Sequence, residues 1–492
     1  MLFRLAALAG LLTACHGSSG SGSAPVCVQP AGTCTPPGSA TLVAGGMAGP
    51  SSAPASCVLV PPAVSSGLPD GGVLHLGTKT VGDIVTFDVA AGTGSVSIVS
   101  QGTNAAMPRT IDYLGSAIDN TVVPLTVTAG GRQIYDDSVL PPADPAADGG
   151  VDVYYAGASP WAGTMTIPNT SRMLCGGVPG GSWSAVVNDW GAECSAIGAP
   201  TCLVGDGGAY PASTYDVTVI TKPGPIAPTG TIDVAFYLVT SLPITSVTAV
   251  TDPDLQRVVS TLRTLFAKAG LCLGSVTFYD VPAWAKARYA TGVNADTSDP
   301  CGTLSQMLTL AIPAQAMNFF LVDDIQSAST GGGTVVGVDG TIPGPSSFGG
   351  TIASGVAVSA AYLGKTSSPG ACSGGVGLAC GDDVIAFIAA HEAGHFLGLY
   401  HTTEAVGAYF DPVGDTPACP CPACKPRAST ATCETAYGPP LASPYLVDGQ
   451  DCTASAKCGG GENLMFWQLS NRSQGLVSPE QGAIVRANPL VR

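Results

Sequence analysis

The sequence predicts a chain of two units: a β-sandwich-like accessory unit at residues 59–221, then an α+β unit at residues 231–492. Three observations lead there. The chain has 492 residues, too many for one ordinary domain. Up to Ile220 it reads as short β-branched runs broken by Gly, Pro and Asp, with no helical period. Beyond a Pro-rich joint at residues 222–230 it turns to strands alternating with helical periods.

The first 14 residues read as an export signal, in which Arg4 is the only charge and Leu5 to Leu12 form a short apolar run. That run is too short to span a bilayer as a mature helix. It ends in Leu12-Thr13-Ala14-Cys15, which resembles the lipobox of bacterial lipoproteins. The resemblance implies that Cys15 is acylated and anchors the exported chain to the cell envelope, at the outer membrane or the cell surface. An ordinary cleaved signal with a chance cysteine is the alternative. Residues 15–58 are then the anchor and a flexible tether, beginning with the Gly/Ser run Gly17 to Ser23.

Seventeen cysteines leave an even sixteen once Cys15 is set aside. In an oxidising compartment these predict disulfides of unassigned pairing. The run Cys419, Cys421, Cys424, Cys433 fits no metal spacing well and is read the same way. With 18 basic against 34 acidic residues the net charge is −16, which argues against nucleic acid as a partner. The acidic excess serves solubility or calcium.

In the accessory unit, Ile84 to Val89, Ser95 to Val99 and Tyr215 to Ile220 are predicted strands. Pro179 to Asn188, around Trp183, resembles strands of sandwich domains attached to secreted proteases. In the second unit, Ile232, Val234, Phe236 and Leu238 alternate as one strand face. A helix follows through Leu255, Val258, Val259, Leu262, Leu265 and Phe266, with Asp252 as cap, Pro253 in the first turn and Gly270 as stop. Strands are expected at Ser275 to Tyr279, Asn318 to Val322 and Gly355 to Leu363. A second helix starts near Asp382 or Asp383 and runs into His391. A third carries a capping box of Ser478 and Gln481 around Pro479.

The chemistry is concentrated in His391-Glu392-Ala393-Gly394-His395-Phe396-Leu397-Gly398-Leu399-Tyr400-His401. On a helix, His391 and His395 project from one face, at the spacing that lets two imidazoles share a zinc ion. Glu392 stands beside the first ligand as general base, and Gly398 permits the turn that brings His401 to a third corner. The bland reading of a histidine on an apolar helix is a satisfied core residue. Yet the chain holds five histidines in all. Three at these offsets would arise by chance on the order of once in a million starting positions.

These eleven residues match the long zinc signature of the metzincin metallopeptidases. Asn463-Leu464-Met465 resembles that family's methionine turn, which would place Met465 beneath the metal without ligating it. Asp411 to Pro417, and the close of the chain from Asn463 to Met465 and Leu476 to Arg486, resemble the pappalysins within that clan. The resemblance covers about half the chain, from Ile232 onward. It implies a metzincin-like catalytic domain with a mixed twisted sheet, an active-site helix and a C-terminal helix. It also implies an extended protein or peptide substrate bound along an edge strand, for which Gly355 to Leu363 is the matching segment. The acidic loop and the resemblance make calcium a candidate second ion, at Asp411 and Asp415, though these aspartates would equally shape a turn. Trp467 stands where several metzincins carry a tyrosine, and no role follows for it. The cysteine-rich stretch between His401 and Met465 reads as a disulfide-stapled insert. Cys27, Cys34 or Cys57 could block the metal, but disulfides suit them better.

The expected activity is hydrolysis of extracytoplasmic proteins by a zinc endopeptidase held to the membrane through Cys15. The rival is a surface-anchored binding or adhesion lipoprotein whose protease domain is a relic. Relics usually lose a ligand or the glutamate, and here all four residues stand. An enzyme acting on cell-wall peptides or on itself is a third reading, because the same residues would serve any amide.

Overall fold

Strand-forming runs far outnumber helical ones along this chain, and the computed structural model is accordingly mixed α+β with several sheets and few helices. It describes residues 28, 30–34, 40–58, 72–103, 111–113, 116–118, 122, 124–137, 152–154, 157–159, 161–189, 202–204, 213–295, 301–312, 315–326, 335–365, 381–405, 407, 410–418, 447, 452, 459–469 and 475–492. The export signal, Cys15, the Gly/Ser run, Cys27 and the cysteine run from Cys419 to Cys433 lie outside the described residues. Among the described residues no helix is long and apolar enough to cross a membrane.

The first unit holds two main antiparallel sheets. One runs in the order Gly72–Thr80, Thr214–Pro223, Thr93–Gly102, Ala162–Ile167, Gly157–Ser159; the other Ile84–Val89, Gly181–Val186, Thr126–Ala129, Arg132–Asp136. Period-two alternation explains how they close on one core. Along Ile84–Val89, Val85, Phe87 and Val89 are buried while Ile84, Thr86 and Asp88 are exposed. Phe87 pairs across with Trp183, and residues of both sheets share one hydrophobic cluster. The Trp183 indole N–H, costly to bury unpaired, donates to the Pro179 carbonyl at 2.8 Å.

The second unit is built on a six-stranded sheet in the order Leu42–Met47, Leu271–Asp280, Gly230–Leu238, Ala316–Val322, Val356–Ser359, Gly337–Asp339. All neighbours are parallel except the last pair, which is antiparallel. Alternation again sets the layers. Phe236 stacks between Phe278 and Phe319 at 5.5 and 5.1 Å in the core beneath the helices, while Tyr237 stacks between Tyr279 and Phe320 at 5.3 and 4.4 Å in the opposite core. The helix Pro253–Lys268 is capped by Asp252 and stopped before Gly270 (φ 75°), and its apolar stripe is buried as its spacing predicts. Arg257 of this helix pairs with Asp383 of the helix Gly381–Phe396 through two hydrogen bonds, fixing one helix against the other. The closing helix Pro479–Ala487 carries the expected capping box.

Two expectations are corrected. Leu42–Met47, read as tether, is an edge strand of the second unit's sheet. Its Gly45-Gly46 pair hides the strand signal, and its parallel partner lies more than two hundred residues downstream. The disulfides Cys34–Cys272 and Cys57–Cys301 hold this segment in place, so neither Cys34 nor Cys57 offers a thiolate to a metal. The second correction concerns the substrate edge. Gly355 to Leu363 shortens to Val356–Ser359 and lies inside the sheet; the edge strand is Gly337–Asp339. Three residues beginning with glycine give no strand signal on their own.

The two units touch. Ser95 Oγ donates to the Ala487 carbonyl at 2.6 Å, and Lys222 Nζ donates to the Arg486 and Val491 carbonyls, each at 2.6 Å. Of the predicted joint, Lys222 and Pro223 end one strand and Gly230 opens another.

Candidate metal centre

Nearly every residue of the helix Gly381–Phe396 is buried, which locks the rotamers of its histidines. After it, Gly398 takes φ 111°, a backbone only glycine adopts readily, and its N–H donates to the His395 carbonyl at 2.9 Å. The reversed chain delivers His401. His401 Nε2 lies 3.3 Å from His391 Nε2 and 3.1 Å from His395 Nε2, and the three ligand nitrogens fall within 4.8 Å of one another. Among the described residues this is the one group of three or more His, Cys, Asp or Glu whose ligand atoms converge.

The outward nitrogens are fixed. His391 Nδ1 is 2.7 Å from the Leu464 carbonyl and His395 Nδ1 is 2.8 Å from the Leu399 carbonyl. A carbonyl can only accept, so each ring carries its proton on Nδ1 and turns an Nε2 lone pair inward. His401 Nδ1 sits 3.1 Å from Glu404 Oε1, an ion-pair contact without a linear hydrogen bond. Burial, with the His401 charge, pulls His391 down to about 3; burial likewise pulls His395 well below the usual range, so both rings are neutral at physiological pH. Burial pulls His401 down too, but the Glu404 carboxylate outweighs it and the pKa is raised. His401 Nε2 thus stands within hydrogen-bond distance of both other Nε2 atoms, and a cation bound there would take the place of a proton on His401.

Glu392 is 8% exposed. Burial first, then the Asp339 charge, raises its pKa well above the carboxylate range, while the Asp339 backbone N–H donates to it. Asp339, on the edge strand Gly337–Asp339, is itself raised to about 6 by burial. Edge strand and glutamate are in close contact: a Cβ on Gly337 would lie 2.6 Å from Glu392 Oε1.

Met465 is fully buried beneath the helix. A Cβ on Gly394 would come within 2.4 Å of Met465 Sδ, so only glycine leaves room there. The Asn463 side chain accepts from the Met465 N–H at 2.8 Å, and the Met465 carbonyl accepts from the Thr402 N–H at 3.0 Å. This turn therefore touches both histidine-bearing segments, through Leu464 to His391 and through Met465 to Thr402, the residue after His401. The Trp467 indole N–H is taken up by the Val447 carbonyl at 2.8 Å. Asp411 accepts from Thr416 and, at 3.1 Å, from Gln481; Asp415 accepts from the Glu480 N–H at 2.9 Å. Both aspartates thus tie their loop to the closing helix.

Residues the sequence did not single out include Glu404, Asp339 and the carbonyls of Leu464 and Leu399. The chain matches no family model, and no curated protein matches it.

Proposed function

We propose that this chain is a zinc-dependent endopeptidase of the metzincin kind, pappalysin-like, exported and lipid-anchored through Cys15. The observation that carries the reading is the convergence of three histidine Nε2 atoms beside a buried glutamate. Zinc suits this donor set: tetrahedral Zn–N bonds of about 2.0–2.1 Å separate their nitrogens by roughly 3.3–3.4 Å, near the 3.1 and 3.3 Å of the two pairs that include His401, and all three nitrogens lie within 4.8 Å of one another. When bound, zinc acidifies a water molecule and polarises the scissile carbonyl. Glu392 takes the proton of the attacking water and returns it to the leaving amine, a task suited to a carboxyl lifted by burial. Among the described residues Gly337–Asp339 ends the sheet, and we read its outer side as the place where an extended peptide binds. Two antiparallel sheets around one core support the sandwich-like reading of the accessory unit. We add calcium as a second ion, at Asp411 and Asp415.

The test is cleavage of a denatured general protein substrate by the chain lacking residues 1–15 and by its Glu392→Ala variant, with zinc measured on both. The variant should keep about one zinc and lose hydrolysis by at least 10²–10⁴-fold. Equal activity would remove Glu392 from the mechanism, and absence of zinc from the parent would sink the reading.

A further inference from the structure

We infer that the β-rich unit is a positioning part of the metal centre: one of its corners pins the segment carrying His401 at both ends, through Tyr154 and Ser171. The inference rests on the metal-site reading above and assigns the accessory unit its role there.

His391 and His395 share one buried helix, so their relation is set by that helix alone. His401 is different. It follows the Gly398 turn on a stretch in which no described residue is helix or strand, so its position depends on what grips the stretch. At the near end, the Tyr154 ring meets the Tyr400 ring edge-on, with centroids 4.7 Å apart and planes at 72°. Tyr400 is 3% exposed and precedes the ligand directly. At the far end, the Ser171 N–H donates to the Pro412 carbonyl at 3.2 Å, and the Gly414 N–H donates to Ser171 Oγ at 2.6 Å. Ser171 Oγ in turn donates to Glu480 of the closing helix.

The two grips belong to one rigid corner. The Tyr154 N–H donates to Asn169 Oδ1 at 3.0 Å, and Asn169 Nδ2 donates back to the Tyr154 carbonyl at 3.3 Å. Thr170 Oγ1 donates to the Asp152 carbonyl at 2.6 Å and caps the short helix Ser171–Gly176. Asp152 is paired with Arg132 and Arg172. Residues 152–154 and 169–171 are therefore cross-bonded, and Tyr154 and Ser171 cannot shift independently. A third ligand held from both ends by such a corner is ordered before the metal arrives, so binding loses less conformational entropy.

The experiment is a zinc competition titration against a chromophoric chelator, on full-length protein in detergent. Outer contacts of a ligand are worth about 10–100-fold in metal affinity. The double variant Tyr154→Ala/Ser171→Ala should lose affinity in that range while its metal-free form keeps its far-UV circular dichroism. Tyr154→Phe, which keeps the ring, and Ser95→Ala, which cuts an inter-unit contact away from the His401 segment, should both stay within about twofold of the parent. If the double variant does not fold, Tyr154→Leu and Ser171→Ala singly carry the test, each expected to weaken zinc binding. Parent-like affinity in these variants, or an equal loss in Ser95→Ala, would overturn the inference. No zinc on the parent chain would instead strike the metal reading itself, and this inference with it.

Discussion

His391 and His395 lean on backbone carbonyls, whereas His401 leans on a charge. A carboxylate behind an imidazole fixes its orientation and makes it a stronger donor to a metal. Burial would raise Glu404, but the His401 charge and contact lower it instead, so each group favours the charged form of the other. Glu404→Gln should therefore weaken zinc binding by about 10–100-fold at pH 8. Its pH dependence should also change, because a proton on His401 competes with the metal. The parent's raised His401 pKa makes its affinity fall as pH drops towards and through that value. Without the carboxylate the fall moves to lower pH. Competition titrations at pH 8, 7 and 6 read both effects, and identical curves would leave Glu404 without a role. The histidines and Glu392 were legible because helical geometry turns fixed sequence offsets into fixed positions. Glu404 and Asp339 were not: one acts across an irregular turn, the other reaches Glu392 from a strand more than fifty residues earlier. No periodicity encodes either approach.

At the scale of elements, helices were read closely because caps and apolar stripes are local signals. The helix Pro253–Lys268 begins and ends where Asp252 and Gly270 direct, and Gly394 reads as the notch that admits Met465. The loop around Asp411 shows where local reading stops. It rests on the closing helix through Gln481 and Glu480, and these contacts leave Asp411 buried beside the charges of Asp415 and Glu480. Burial raises the Asp411 pKa well above the carboxylate range. Folding then takes up a proton between the ordinary and the raised value, so in calcium-free buffer stability falls as pH rises through that window. A bound calcium ion would offset the buried charge. We expect calcium at a hundredfold excess over its Kd to add about 2.7 kcal/mol, with zinc kept constant. Thermal melts with and without calcium at pH 7 measure this, alongside Asp411→Asn, in which both the calcium response and the acid stabilisation should shrink. A melting temperature indifferent to calcium would assign Asp411 and Asp415 to shaping the turn.

Across the whole molecule, long-range pairing was the part least visible in sequence. The strand Leu42–Met47 belongs beside Leu271–Asp280, yet the residues between them include the entire β-rich unit. Parallel neighbours so distant leave no trace in local propensity, and cysteine counting predicts bridges without their partners. Cys34–Cys272 and Cys57–Cys301 flank this strand on its two sides, with sequence separations of 238 and 244. The chain around them also makes lighter contacts: the Gly32 N–H donates to the Pro228 carbonyl, and the Trp284 indole to the Pro50 carbonyl. A cross-link closing so long a loop restricts the unfolded chain strongly. Replacing Cys34 and Cys272 together by serine should lower stability by roughly 2–5 kcal/mol, and the second pair by a similar amount. The urea midpoint measures it, with the slope checked for a change in how the unit opens. The helix of His391 and His395 packs on Val356–Ser359 and Gly337–Asp339, at the end of the sheet opposite this strand, so zinc affinity should hold while the midpoint falls. A midpoint that does not move would mean that strand pairing and the lighter contacts hold the segment without the bridges.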